Sequence, residues 1–230
     1  MPLSCGAMNP DPIGTGGFAA SPDTTTGAVP SPLTDRTRIR RHPDRAVPDR
    51  IDEFLSAGLV AHVAIVEDGE PRLLPFSYHY EAGTIYIHGS PANATMNLAR
   101  DGRTVAVAVT AIDGLVASKS ASGHAVNYRS VVAFGHARAV EKVAEKRRVL
   151  DAMIERYWPG RAPARDYEPA AEEDLAATYV TAIDIDEASA KLRDLAPNGP
   201  HDTDPDWPGS AFVVDMRPRG DADPESTAEF

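Results

Sequence analysis

Asp-Gly dipeptides punctuate this chain at Asp68-Gly69, Asp101-Gly102 and Asp113-Gly114, and the segments around them are short and apolar. Asp-Gly tolerates the positive φ values that a two-residue hairpin requires, so it marks the tight reversal between antiparallel strands. Residues 59–67 read as a strand with Val63 and Ile65 on one face, reversing at Asp68-Gly69. Residues 72–80 return as a second strand, at an edge or a bulge because Pro75 has no N–H to donate. Residues 84–88 make a third. Residues 104–112 are almost wholly small and β-branched, as in a strand buried on both faces. Asp113-Gly114 is a hairpin signal, with 115–120 beyond it, and 129–140 and 178–185 complete the sheet.

Helices are few and flank these strands. Pro48 opens one whose apolar face is Ile51, Phe54 and Leu55. Residues 91–100 read as a short helix closed by Asp101-Gly102. The clearest helix spans 141–157, with Val149, Leu150, Met153, Ile154 and Tyr157 on one side. Lys142, Glu145, Lys146, Arg147 and Arg148 make its solvated side. Another short helix covers 169–177. The expectation is a mainly β protein with flanking helices, built as a six-stranded antiparallel closed barrel.

Residues 1–33 hold Pro, Gly, Ser and Thr with few large apolar groups, which predicts a disordered N-terminal tail. The folded domain is expected over 34–215 and a second tail over 216–230. The chain carries 34 acidic and 23 basic residues, a net charge of −11. Such a field repels phosphate, which argues against nucleic acid and anionic membranes as partners. Arg38, Arg40, Arg41 and Arg45 read as a solvated basic turn, although local basic patches can still bind phosphate. Cys5 is the single cysteine, so no intrachain disulfide forms and a reducing cytoplasm fits. No apolar run is long enough to span a bilayer.

Two polar stretches sit at strand edges and carry the site chemistry: His88-Gly89-Ser90 and Asn127-Tyr128-Arg129-Ser130. Ser90, at the start of a helix, either binds an anion with the following amides or simply caps the helix. Lys119 and Ser120 lie near the intervening hairpin. Arg129 beside Tyr128 suits ring stacking and anion pairing, or ordinary packing on a barrel rim. His88 and His124 are the candidate proton donors near neutral pH, while His62, His79 and His136 lie on strands without a partner motif. No zinc-type His/Cys/Asp spacing is present, so no metal site is expected.

Residues 34–215 resemble the pyridoxamine 5′-phosphate oxidase-like flavin-binding split-barrel proteins, in the subgroup with nitroimidazole-reductase-like members. The resemblance rests on Arg41-His42-Pro43-Asp44-Arg45-Ala46, Asp68-Gly69 with Pro71 and Pro75, Ile85-Tyr86-Ile87-His88-Gly89-Ser90, and Asp113-Gly114-Leu115-Val116. It continues through Asn127-Tyr128-Arg129-Ser130-Val131-Val132 with Phe134-Gly135, then Ser189, Lys191, Arg193, Gly199-Pro200 and Trp207-Pro208-Gly209. It implies a split-barrel homodimer with FMN at the subunit interface and an oxidoreductase acting on a small organic molecule. Ser90, Lys119, Ser120 and Arg129 would then hold the phosphate. Pro75, Ser77 and Tyr128 would shape the ring and ribityl pocket, with Gly89, Asn127 and Ser130 alongside, and His88 or His124 would assist proton transfer.

The chain departs from the family pattern at three places. Asn93-Ala94 stands where a Ser-Arg pair is usual. Ser122-Gly123-His124-Ala125 replaces Phe-His-His-Ser, and residues 193–200 replace Arg-Thr-Gly-Pro-Pro. Losing one charge-assisted contact costs about 1.5–3 kcal/mol. Two alternatives follow: haem in place of flavin, with a histidine as axial ligand, or a flavin- or ligand-binding protein without turnover.

Overall fold

The computed structural model describes residues 34–93, 96 and 101–217. The expected tail 1–33, the expected C-terminal tail from 218 onward, and most of the expected 91–100 helix lie outside the described residues; Met96 is helical. Asp68 and Gly69 have φ of 51° and 84°. Two positive φ values match the right-handed twist of flanking strands, and they join β1 (Ala61–Glu67) to β2 (Glu70–Phe76). The remaining strands are β3 (Tyr78–Glu81), β4 (Thr84–Gly89), β5 (Asp101–Ala117), β6 (Ala125–Ala139), β7 (Tyr179–Arg193) and β8 (Phe212–Asp215).

The strand order is β2-β1-β5-β6-β7-β4-β3, with β8 added on β5, and every pairing is antiparallel. The two ends of this path, β2 and β3, follow one another in the chain with only Ser77 between them. Edges joined through one residue must lie near each other, so the sheet curls into a barrel. Among the described residues no ladder links β2 to β3, and the barrel stays split at that seam.

Among the described residues the sheet has eight strands rather than the six expected. The expected strand over 72–80 is two strands, because Ser77 is the point where the chain leaves β1 as partner and takes up β4. Pro75 lies on β2, at the end of the sheet path, as its missing N–H requires. Asp113-Gly114 is not a hairpin. It sits at a register shift inside β5, which runs unbroken through Ala117 against β6, a bulge that bends the strand without reversing it. β8 was not expected, and it pairs with the far half of β5.

One apolar core fills the barrel. Helix α1 (Ile51–Ala57) contributes Ile51, Phe54 and Leu55 to it, and the inward positions of the strands supply Val63, Ile85, Ile87, Val107, Val131 and Ile183. Helix α2 (Val143–Tyr157) lies outside. Its Val149 and Met153 pack on Tyr86, Val180 and Ala182 from β4 and β7, the face that the helical period predicts. No helix among the described residues is long and apolar enough to cross a membrane.

Lys146 departs from the expected solvated side of α2. It is 5% exposed, and its Nζ donates to Leu175 O at 3.0 Å and Thr178 O at 2.8 Å. These carbonyls close the short helix α3 (Glu172–Ala177), whose last C=O groups have no partner within the helix. Lys146→Ala strands both carbonyls and removes a charge-assisted pair. It is expected to destabilise the fold by about 2–3 kcal/mol in urea unfolding, and a loss below about 0.5 kcal/mol would show that water replaces the ammonium.

Candidate functional site

Strand alternation sets the site. Along β4, Ile85 and Ile87 enter the barrel core, so Tyr86 and His88 point the other way, toward α2. His88 pairs in register with Val180 of β7. Between this face and α2 lies a cavity of about 550 Å³ lined by Ser77, His88, Leu150, Met153, Ile154, Tyr157, Trp158, Ala170 and Thr178. Its volume is that of a pocket for a sizeable organic ligand, and its walls are predominantly apolar.

His88 is the distinctive group there. Its Nδ1 is buried with no hydrogen-bond partner among the described residues. Burial alone pushes its pKa below the usual histidine value, because a cation would lose hydration without gaining a counter-charge. At neutral pH the imidazole that lines the cavity is therefore neutral. Tyr157 also lines the cavity, but its hydroxyl donates to Leu59 O at 2.6 Å and accepts from Tyr78 N at 2.9 Å. Arg156, beside it, donates to Leu55 O at 3.0 Å and to Gly58 O. These bonds fix the end of α2 against the barrel, so the cavity wall is held rather than loose.

His79 is a second half-buried imidazole nearby, which sequence reading passed over. Its ring lies 6.2 Å from that of Tyr86, and its pKa is lowered by burial against the opposing pull of Glu81. The only signal for it in the sequence is the alternation that puts it beneath α2.

The other expected residues are spread out. Of these, Ser77 and His88 meet in the cavity. Gly89 ends β4, and Pro75 is exposed on β2. Ser90 is exposed, its Oγ accepting from Ala92 N at 3.2 Å. The Lys119 ammonium donates to Asp204 O at 2.7 Å and Trp207 O at 3.2 Å, so it clamps the loop before β8. Ser120 Oγ is buried without a partner among the described residues. His124 is exposed, its Nδ1 3.1 Å from Ser120 O, and is not a lining residue of the His88 cavity.

The 127–130 stretch divides by strand alternation. Arg129 makes a two-pronged ion pair with the buried Asp113, at 2.9 and 2.7 Å. Its charge is balanced within the chain, which is a different use from pairing with a ligand phosphate. Asn127 is buried: its Oδ1 accepts from Arg193 and from Leu195 N, and its Nδ2 donates to Leu195 O. Tyr128 and Ser130 face the opposite way, in register with Arg193 and Lys191 of β7.

The sequence profile of pyridoxamine 5′-phosphate oxidase matches residues 48–192. Among curated protein sequences there is no match. Among solved structures, the chain is similar to the flavocytochrome Anf3 from Azotobacter vinelandii, with 27% identity and a TM-score of 0.70 over 86% of this chain and 92% of that one. It is also similar to an FAD and heme binding protein from Mycobacterium smegmatis, with 30% identity and a TM-score of 0.65 over 79% and 90%. A Bacteroides thetaiotaomicron protein assigned to 5-nitroimidazole antibiotic resistance is 19% identical, with a TM-score of 0.54 over 64% and 86%. That last likeness concerns the fold alone.

Proposed function

Because the chain belongs to the pyridoxamine 5′-phosphate oxidase family of flavin-binding split barrels, we propose that it is a flavin-dependent oxidoreductase that also holds haem in the cavity beneath α2. The observation that carries the second half is His88: an imidazole kept neutral by burial, lining an apolar cavity. Such a ligand and such walls suit haem, whose iron takes a histidine and whose ring takes apolar contacts. Two similar proteins support the pairing, since one is a flavocytochrome and the other binds FAD and heme.

The roles of the side chains follow from their placement. His88 supplies the lone pair, and the depressed pKa keeps it available across neutral pH. Met153, Ile154 and Leu150 supply apolar wall around the imidazole. Tyr157, with both functions of its hydroxyl engaged, shapes the wall and is not a competing ligand. Haem held there would supply one-electron chemistry beside the two-electron chemistry of a flavin. The flavin, as FMN or as its adenylate FAD, is assigned to the interface of a homodimer, with a small organic molecule as substrate. With one cysteine in the chain, the reducing cytoplasm is the compartment assigned to it.

An exposed apolar row supports the dimer. Val126, Leu115 and Val214 lie side by side across β6, β5 and β8, 37%, 45% and 45% exposed. Phe212, two residues before Val214 and on the same face of β8, extends it. A contiguous patch of this kind on a sheet is a site of association. Leu115→Arg places a charge in the row and is expected to convert a dimer of 24.6 kDa chains into monomers in sedimentation, with loss of flavin. A wild-type chain that sediments as a monomer would remove the interface from this reading.

The test of the whole reading is the visible spectrum of the purified protein, with and without added flavin and hemin. Flavin bands together with a sharp haem band are expected. A protein that takes up neither is not a flavocytochrome.

A further inference from the structure

Thr104 of β5 stands directly opposite His136 of β6 in the antiparallel ladder, so their side chains share a face of the sheet. That face is the outer one, because the neighbouring Val105 and Ala137 enter the core. Thr104 Oγ1 lies 3.3 Å from His136 Nε2. A third member comes from β7. Asp184 is the register partner of His136, but its carboxylate is taken by Thr84 and Arg138. Glu187, opposite Phe134, is taken by Arg36 and Thr37. Between them Ile185 is opposite Gly135, which leaves Asp186 as an extra residue without a register partner. Its Oδ2 lies 2.7 Å from His136 Nδ1. A hydroxyl, an imidazole and a carboxylate therefore follow one another, with each ring nitrogen serving one neighbour.

This order fixes the chemistry. With Nδ1–H donated to Asp186, Nε2 carries the lone pair and accepts from the Thr104 hydroxyl. A hydroxyl beside a base that a third group orients is an activated nucleophile, and such a constellation is defined by geometry rather than by fold or chain order. The 3.3 Å separation is long for such a pair, as is common before substrate binds. Thr104 also lines a groove of about 420 Å³. Ala64, Val66, Pro71, Ala106 and Phe134 give it apolar walls, and Arg36 is the one charged side chain among its lining residues. An apolar acyl group can lie on these walls beside the hydroxyl, with the guanidinium as the group that attracts negative charge developing on a carbonyl oxygen. Asp186 and Glu187 lie close behind His136 and Arg36, in a chain of net charge −11, and this field disfavours an anionic substrate.

We propose that Thr104, His136 and Asp186 form a second catalytic site, which hydrolyses uncharged carboxylic esters with a small apolar acyl group. Thr104 Oγ1 bonds to the carbonyl carbon while His136 Nε2 takes the hydroxyl proton, and the alcohol leaves carrying that proton. Water then adds to the Thr104 ester and gives a proton to Nε2, which returns it to Thr104 Oγ1 as the carboxylic acid departs. Asp186 touches no reacting atom. It is a positioning residue that holds the imidazole tautomer. The site does not rest on flavin or on haem, and none of its residues lines the His88 cavity.

The test is hydrolysis of p-nitrophenyl butyrate by the full-length protein, followed as p-nitrophenol release, with the acylated protein trapped in acid and the butyryl group located by peptide mass. Turnover with the butyryl group on Thr104 is expected. All three side chains are exposed, so their variants should fold. Thr104→Val and His136→Gln should each lower kcat/KM by about a hundredfold or more, while Thr104→Ser keeps the activity. Asp186→Asn should lower kcat with little change in KM, and Asp186→Glu should restore part of it. His42→Asn changes an exposed histidine that does not line the groove and should have no effect. Activity that survives Thr104→Val would make His136 a bare surface base and overturn the proposal. A butyryl group found on another residue, or a wild type no faster than His136→Gln, would overturn it equally.

Discussion

The His88→Ala variant is expected to lose its haem band and to keep its flavin bands and its fold. Removal of an outer-sphere group beside a metal typically costs 10–100-fold in affinity, so loss of the ligand itself should exceed about a hundredfold. The fold should tolerate the change within about 1 kcal/mol, because the buried Nδ1 has no partner among the described residues. The pH dependence has a definite sign. The His88 pKa is lowered in the folded state, so the neutral form is favoured there. The stability linked to it is present above the unfolded value, about 6.5, and is lost as pH falls through the lower folded value. Haem release on acidification should therefore begin below the pH at which a free histidine is half-protonated, and His88→Ala should abolish that transition. A variant that retains the haem band would move the ligand elsewhere, with His79, the other half-buried imidazole beneath α2, the next to replace.

How much of this was legible in the chain depends on whether the deciding contacts are local. Asp68-Gly69 was legible because a two-residue turn is set by the φ of its own residues. Asp113-Gly114 has the same letters and a different outcome. Asp113 is held by Arg129 of the adjacent strand, and Gly114 is paired with Asn127 on one side and Asp215 on the other. Those partners carry β5 straight through a dipeptide that would otherwise reverse it. β8 was missed because a strand of four residues has too short an alternation to stand out, and β5 gives it its place. For the site, His88 could be found from its position after Ile85 and Ile87. The cavity could not, since its far wall comes from α2, more than sixty residues later. Lys119 and Arg129 were plausible phosphate ligands by type, but their local sequence does not reveal Asp204, Trp207 or Asp113 as partners.

Gly135→Ala is expected to cause the largest loss of stability of any single methyl added to this protein. Phe134 is opposite Glu187 and Gly135 is opposite Ile185, so Asp186 is the extra residue of a bulge in β7. The bulge drives the β7 backbone toward Gly135. A Cβ there would meet Asp184 O, come within 2.9 Å of Asp184 C, and lie 3.1 Å from Ile185 Cα. Backbone cannot swing aside as the tip of a side chain can, and this backbone is tied down. Asp184 accepts from Thr84 at 2.9 Å and from Arg138 at 2.9 Å, and Ile185 N donates to Gly83 O at 3.0 Å. The strands must part or shift register, at a cost on the order of 4 kcal/mol or more. For a chain of this size that is roughly 8–16 °C in melting temperature. A variant that melts within about 2 °C of the wild type would show that the bulge can flatten. In that case the Phe134-Gly135 pair would need an explanation other than strand packing.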